Sequence, residues 1–110
     1  SKPTTYTFIV RHEPKNAYQA PGCAASEPIM ARHPYTLAIV GHTHTYGRTG
    51  KRQVTMGNGG APLVSGTNYG YGIIQQRSDG DIQVDMIDYA TGQPDMGFRF
   101  ALHPDGSDAR

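Results

Sequence analysis

Three histidines stand where two apolar runs stop. TTYTFIVR, residues 4–11, is followed at once by His12. TLAIV, residues 36–40, runs through Gly41 into His42 and, one residue later, His44. Imidazole binds zinc, iron and similar transition metals well. In extended backbone, positions i and i+2 face the same side, so His42 and His44 can project together. If the two runs are neighbouring strands, His12 joins them from the next position on the rim. Three rings so placed suit either a single zinc in a His-only site or a pair of metals ~3.5–4 Å apart. Gly41 allows a sharp turn between strand and ligands. A single histidine after a strand is more often a polar end residue than a ligand. Two strands that end alike make the metal reading worth holding.

The elements that must position these rings can be read around them. Residues 4–11 are β-branched and aromatic and predict a strand; Phe8, Ile9 and Val10 predict one buried on both faces. Glu13-Pro14 ends it, and residues 16–25 read as loop. Ser26 can cap a short helix over 27–32, with Glu27 and Pro28 tolerated in its first turn, and Pro34 stops it. Residues 36–40 predict a second buried strand. Strand, helix and strand make a βαβ unit with parallel strands, and ligands of open α/β sheets bind beyond the C-terminal strand ends. After His44 the pattern changes. Residues 53–56 predict a short strand, 57–62 (GNGGAP) an irregular turn, and 71–77 with 82–89 a hairpin around Ser78-Asp79-Gly80-Asp81. Ile82, Val84 and Met86 alternate with Gln83, Asp85 and Ile87, which predicts one core face and one mostly wet face. Residues 98–102 predict a last strand, and the polar tail 103–110 is expected to fray. The fold class expected is α+β bordering on α/β: one parallel pair, then an antiparallel sheet over 53–102.

Composition narrows the function classes. Ten basic and nine acidic residues give a formal charge of +1, which offers no signal for nucleic acid or an anionic membrane. No apolar run approaches the ~20 residues of a bilayer span, and no signal-peptide pattern opens the chain. Ser1-Lys2-Pro3 leads almost directly into a strand-like segment, so the true N-terminus can lie elsewhere and compartment stays open. Cys23 is the single cysteine, which excludes an internal disulfide and a cysteine-rich zinc site. Fourteen glycines and eight prolines are dispersed between apolar segments, as in a turn-rich globular fold.

Gly41-His42-Thr43-His44 resembles the GHxH signature of the calcineurin-like metallophosphoesterases. GHTHTYGR resembles the purple acid phosphatase form, which usually carries an acidic residue where this chain has Gly47. IVRHEP is similar to the family's strand-His-x-Pro motif, VTMGNGGAPL to its glycine-rich segment, and YGYGIIQQ with DIQVDMIDYATGQP to its closing strands. The resemblance covers nearly all of 4–102. It implies the C-terminal half of a four-layer metallophosphoesterase sandwich over residues 1–102, and hydrolysis of phosphoric esters at a dinuclear centre of Fe, Zn or Mn. His12 and His42 would be ligands of one metal and His44 of the other. Tyr46 and Arg48 would line the substrate rim, and Asn58 with Gly59 and Gly60 could present N–H groups to an anion. The family's earlier D-x-H, G-D and G-N-H motifs do not precede His12 here, and no aspartate stands before Asp79. The expectation is therefore a piece of a phosphoesterase that is inactive alone, holds one metal or none, and works with a missing N-terminal half. The purple acid phosphatase likeness leans towards an extracytoplasmic setting. The alternative is a non-catalytic metal-binding or interaction module that keeps the histidines.

The remaining residues have plainer readings. His33 suits the helix C-terminus as a cation, and His103 a solvated tail. Tyr69, Tyr71 and Tyr89 are expected to pack on the sheet. Cys23 lacks an activating neighbour in sequence and reads as inert. If half of a fold is missing, strands 8–10 and 37–40 expose apolar surface and invite a homo-oligomer.

Overall fold

The computed structural model describes residues 5–13 and 25–109. The loop expected at 16–25 and Cys23 lie outside them, save for Ala25. Among the described residues, eight strands and one short helix form two four-stranded sheets. Strand β1 (Phe8–Val10) pairs in parallel with β2 (Leu37–Val40), and helix α1 (Glu27–Ala31) lies between them in the chain. Strand β3 (Tyr46–Gly50) and β4 (Gln53–Met56) form an antiparallel pair, and β4 also lies parallel to β2. The first sheet is thus mixed, in the order β1-β2-β4-β3. Strands β5 (Gly70–Gln76), β6 (Ile82–Asp88), β7 (Phe100–Leu102) and β8 (Asp108–Ala109) form an antiparallel meander.

The two sheets bury one core between them. Leu37 and Val54 of the first meet Ile82, Val84 and Leu102 of the second, with Ile39, Met56, Ile74, Phe98 and Phe100 around them. Burying a side chain of this kind stabilises by about 1.5–3 kcal/mol, so these five residues carry much of the fold. The structure departs from the sequence reading in several places, each for a physical reason.

First, β4 does not open the antiparallel sheet. Val54 is completely buried, and the place that buries it is beside β2, against Leu37. Second, β3 is an element that residue order does not announce. YGRTG has two glycines and no apolar alternation, yet the tight turn after Gly50 lays it along β4, with a register irregularity between Arg48 and Gly50. Third, β1 is not buried on both faces. It is an edge strand whose residues 8 and 10 align with core-facing Leu37 and Ile39. The second sheet covers Leu37 but leaves Phe8 42% and Val10 74% exposed.

Fourth, the β6 face expected to be wet is buried at Asp85 and Ile87. The 93–99 segment folds across it: Arg99 Nε donates to Asp85 Oδ1 at 2.5 Å, and Pro94 bridges Ile87. Fifth, the polar tail folds back. Thr36 Oγ1 donates to the Pro104 carbonyl at 2.6 Å, and the His103 N–H donates to the Ser107 carbonyl at 2.8 Å, which sets up β8. His103 is correspondingly paired with Asp81 at 2.7 Å.

Helix α1 is short and is capped differently from the expected way. Ser26 sits in right-handed helical backbone and makes no side-chain cap bond. Its hydroxyl instead accepts a hydrogen bond from Arg11 at 2.9 Å. His33 lies beyond the helix end and is exposed. No helix among the described residues is long and apolar enough to cross a membrane.

Candidate functional site

The β1–β2 ladder continues past both strand ends. The Arg11 N–H donates to the Ile39 carbonyl at 3.1 Å, and the Gly41 N–H to the His12 carbonyl at 2.8 Å. That last bond puts His12 beside the turn that carries His42. The two rings meet edge to face, with centroids 5.4 Å apart and planes at 89°. Arg11, one residue before His12, fixes the other side of this corner. Its guanidinium binds the Glu27 carboxylate and Ser26, and donates to the Met30 sulfur at 3.2 Å, so α1 is tied to the end of β1. Among the described residues its Nε is buried without a partner. Parallel strand ends bring two of the sequence-predicted ligands together, as the βαβ reading expects.

His44 is placed otherwise. His42 has φ +70°, which makes it the non-glycine residue with positive φ among the described residues. That conformation costs an L-residue about 1–2 kcal/mol, and histidine is among the types enriched there. The Thr43 N–H donates to Gly41 O at 2.9 Å and Thr45 N–H to Thr43 O at 2.8 Å. Two three-residue turns in succession replace the extended backbone from which a shared face for positions 42 and 44 was expected. The His44 ring bonds through Nδ1 to the Pro62 carbonyl at 2.8 Å. A carbonyl only accepts, so Nδ1 carries the proton, and in the neutral ring Nε2 carries the lone pair. Metal-bound histidines are held in the same way by their other ring nitrogen. Among the described residues, no three His, Cys, Asp or Glu side chains gather closely enough to hold a metal ion. The donors present are thus a close imidazole pair and a third, tautomer-fixed imidazole nearby in the chain.

The glycine-rich segment after β4 packs directly on this turn. The Gly57 N–H donates to Thr45 O at 2.7 Å, and the Val64 N–H to His44 O at 2.9 Å. Glycine is required at 57: a Cβ there would overlap the carbonyl of Thr43. Asn58 is 2% exposed and structural. Its Nδ2 donates to Asn68 O at 2.9 Å, and its carbonyl accepts from the Gly70 N–H at 3.2 Å.

Tyr46 and Arg48 reach across to the second sheet. Tyr46 packs edge-on against Phe98 at 5.5 Å and donates its hydroxyl to Asp95 Oδ2 at 2.7 Å. That bond, reinforced by burial and the Asp95 charge, raises the Tyr46 pKa above the usual phenol value. Arg48 lies 4.4 Å over the Phe100 ring and pairs with Asp108, whose carboxyl is held below the usual range by that bond and charge. Both are occupied in joining β3 to the second sheet.

Tyr69, Tyr71 and Tyr89, expected to pack on the sheet, are each exposed. The alternation already carries the signal. Val84 and Met86 face the core, so Ile87 and Tyr89 and their cross-strand neighbours point away from it. Tyr69 and Tyr89, with Gly59 and Gly60, line an open depression of about 220 Å³. No family model matches the chain, and neither a curated protein nor a solved structure matches it.

Proposed function

We propose that this chain is the C-terminal part of a metal-dependent phosphoric ester hydrolase of the calcineurin-like, purple acid phosphatase-like type, with its two sheets forming half of a four-layer sandwich. The observation that carries the reading is the delivery of His12 and His42, by adjacent parallel strands, to one rim with rings 5.4 Å apart. The GHTH turn supports it. Its strained His42 and the Pro62-bound tautomer of His44 are arrangements that a ligand role explains.

His12, His42 and His44 would hold metal through neutral nitrogens. Bound metal would supply a clamp on phosphoryl oxygens and a water of lowered pKa. The chain's own part is to orient the rings: Arg11 fixes β1's end, and Pro62 fixes His44. Neutral imidazoles do not offset the charge of two metals, so carboxylates from further sequence of the same protein complete the centre. Among the described residues β1 is the edge of its sheet, with Phe8 and Val10 exposed, and that edge is where more of the fold or a second copy would pair.

A second reading is a non-catalytic metal-binding module. It asks less of the site: the His12–His42 pair that the strand ends bring together, with no catalytic centre. Zinc titration followed by NMR of the histidine rings tests both. Zinc should shift His12 and His42 together, with affinity falling in acid because imidazole binds metal only when unprotonated. Aryl phosphate turnover should require an upstream segment bearing D-x-H, G-D and G-N-H. Ring signals indifferent to zinc sink both readings. Full turnover by this chain alone would overturn the need for carboxylates, and no turnover with the upstream segment leaves the module.

A further inference from the structure

Tyr69 and Tyr89 extend the β5–β6 ladder by one position beyond its last pair, Gly70 and Asp88. The Tyr89 N–H donates to the Tyr69 carbonyl at 2.9 Å, so the backbones of the two residues are locked side by side. Their side chains face away from the core; Tyr69 is 41% and Tyr89 78% exposed. Among the described residues neither ring is engaged by another aromatic ring or a cation. Gly59 and Gly60 complete the depression, and a Cβ on either would meet nothing within 4 Å. These glycines are not required by packing there; their effect is to leave backbone bare opposite two tyrosines.

The lining sorts possible ligands. Among the described residues it holds no charged side chain, so it does not suit the phosphoryl group itself. It holds no amide or carboxylate side chain to grip sugar hydroxyls. The nearest carboxylate in sequence, Asp88, is taken up by Asn68 and by the N–H groups of Ala90 and Thr91. What remains is aromatic surface for stacking and peptide groups for an edge of donors and acceptors. The volume, about 220 Å³, lies below the ~300–1,000 Å³ of whole-ligand pockets, and so admits one ring system.

The depression also lies near one of the histidines, His44. Gly60 is two residues from Pro62, whose carbonyl holds the His44 ring, and two residues span at most about 7 Å. We propose that this depression is the subsite for one planar heteroaromatic ring, such as a nucleobase, carried by the leaving group of the phosphoric ester. Its role in the ester rests on the phosphoesterase reading; ring binding does not. The ring stacks on the tyrosines while the phosphate points along the Gly60–Pro62 loop towards the histidines.

Adenosine, which has no phosphate, is the probe. Titrated into the metal-free chain and followed by tyrosine ring NMR, it should bind saturably in the millimolar range. Tyr89→Ala, at an exposed position that folding does not need, should weaken it roughly ten-fold, the loss of one stacking partner. Gly60→Leu should block it. Methyl glucoside should not bind. No saturable adenosine binding, glucoside binding of equal strength, or an unaffected Tyr89→Ala overturns the proposal. Adenosine monophosphate with zinc gives the separate arm: it should bind tighter than adenosine, and His42→Ala should abolish that gain. A gain absent while adenosine still binds would remove the phosphoesterase reading and leave a ring site.

Discussion

Gly57→Ala should destabilise the fold sharply and loosen the GHTH turn, while Gly59→Ala and Gly60→Ala should do neither. A methyl carbon at 57 would stand 2.9 Å from the Thr43 carbonyl carbon, closer still to its oxygen, and 3.3 Å from Thr45 O. Ordinary carbon contacts lie at about 3.5–4.0 Å, so backbone on one side must move by roughly 1 Å. The obstacle is peptide, not a flexible side chain. The Gly57–Thr45 hydrogen bond at 2.7 Å holds the two segments at this spacing. Overpacking of cores costs about 1–3 kcal/mol, and a backbone clash belongs at the top of that range or above. For a domain of this size about 3 kcal/mol lowers Tm by roughly 10–20 °C, out of a total stability near 5–15 kcal/mol. Far-UV circular dichroism on heating measures it, and the chain's lack of tryptophan is no obstacle. The two neighbouring alanine variants, whose new Cβ atoms meet nothing within 4 Å, should melt within a few degrees of the parent. A Gly57→Ala protein that does the same, with the His42 and His44 ring signals unmoved, would refute the close approach of the loop to the turn.

Other outcomes follow from single contacts. Asn58→Ala should cost about 2 kcal/mol in urea unfolding, since it leaves a buried gap and a carbonyl without its donor. Tyr46→Phe should cost about 1–2 kcal/mol at neutral pH by losing the bond to Asp95. Because the folded pKa of Tyr46 is raised, its contribution is present below the unfolded value of about 10 and is lost as pH rises through the folded one. Alkaline melting curves of the parent and of Tyr46→Phe should converge there. Asp88, Asp105 and Asp108 are all held below the usual carboxylate range, by Asn68, by Ser107 and by Arg48 respectively. Their stabilisation is present above about pH 4 and is lost as pH falls through the lowered values. Asp108→Asn should flatten the acid limb of a stability-versus-pH profile, and an unchanged limb would count against the Arg48–Asp108 tie.

Much of the molecule was legible in residue order because the relevant forces are local. Phe8–Val10 and Leu37–Val40 read as strands from their apolar runs, and the helix between them makes the pair parallel, which puts His12 and His42 at the same end. The β5–β6 hairpin was legible from Asp79-Gly80, where Gly80 takes φ +89°. Tertiary structure alone decided the rest. Val54 chose its sheet by burial against Leu37, and YGRTG became β3 because β4 offered it partners. Tyr46 and Arg48 were drawn from the histidine rim by Asp95, Phe98, Phe100 and Asp108, residues distant in sequence. His44 was turned by a positive φ at His42 and a carbonyl eighteen residues on. Local sequence sets which residues arrive at a strand end. Where their side chains then point depends on hydrogen-bond partners that only the folded chain brings within reach.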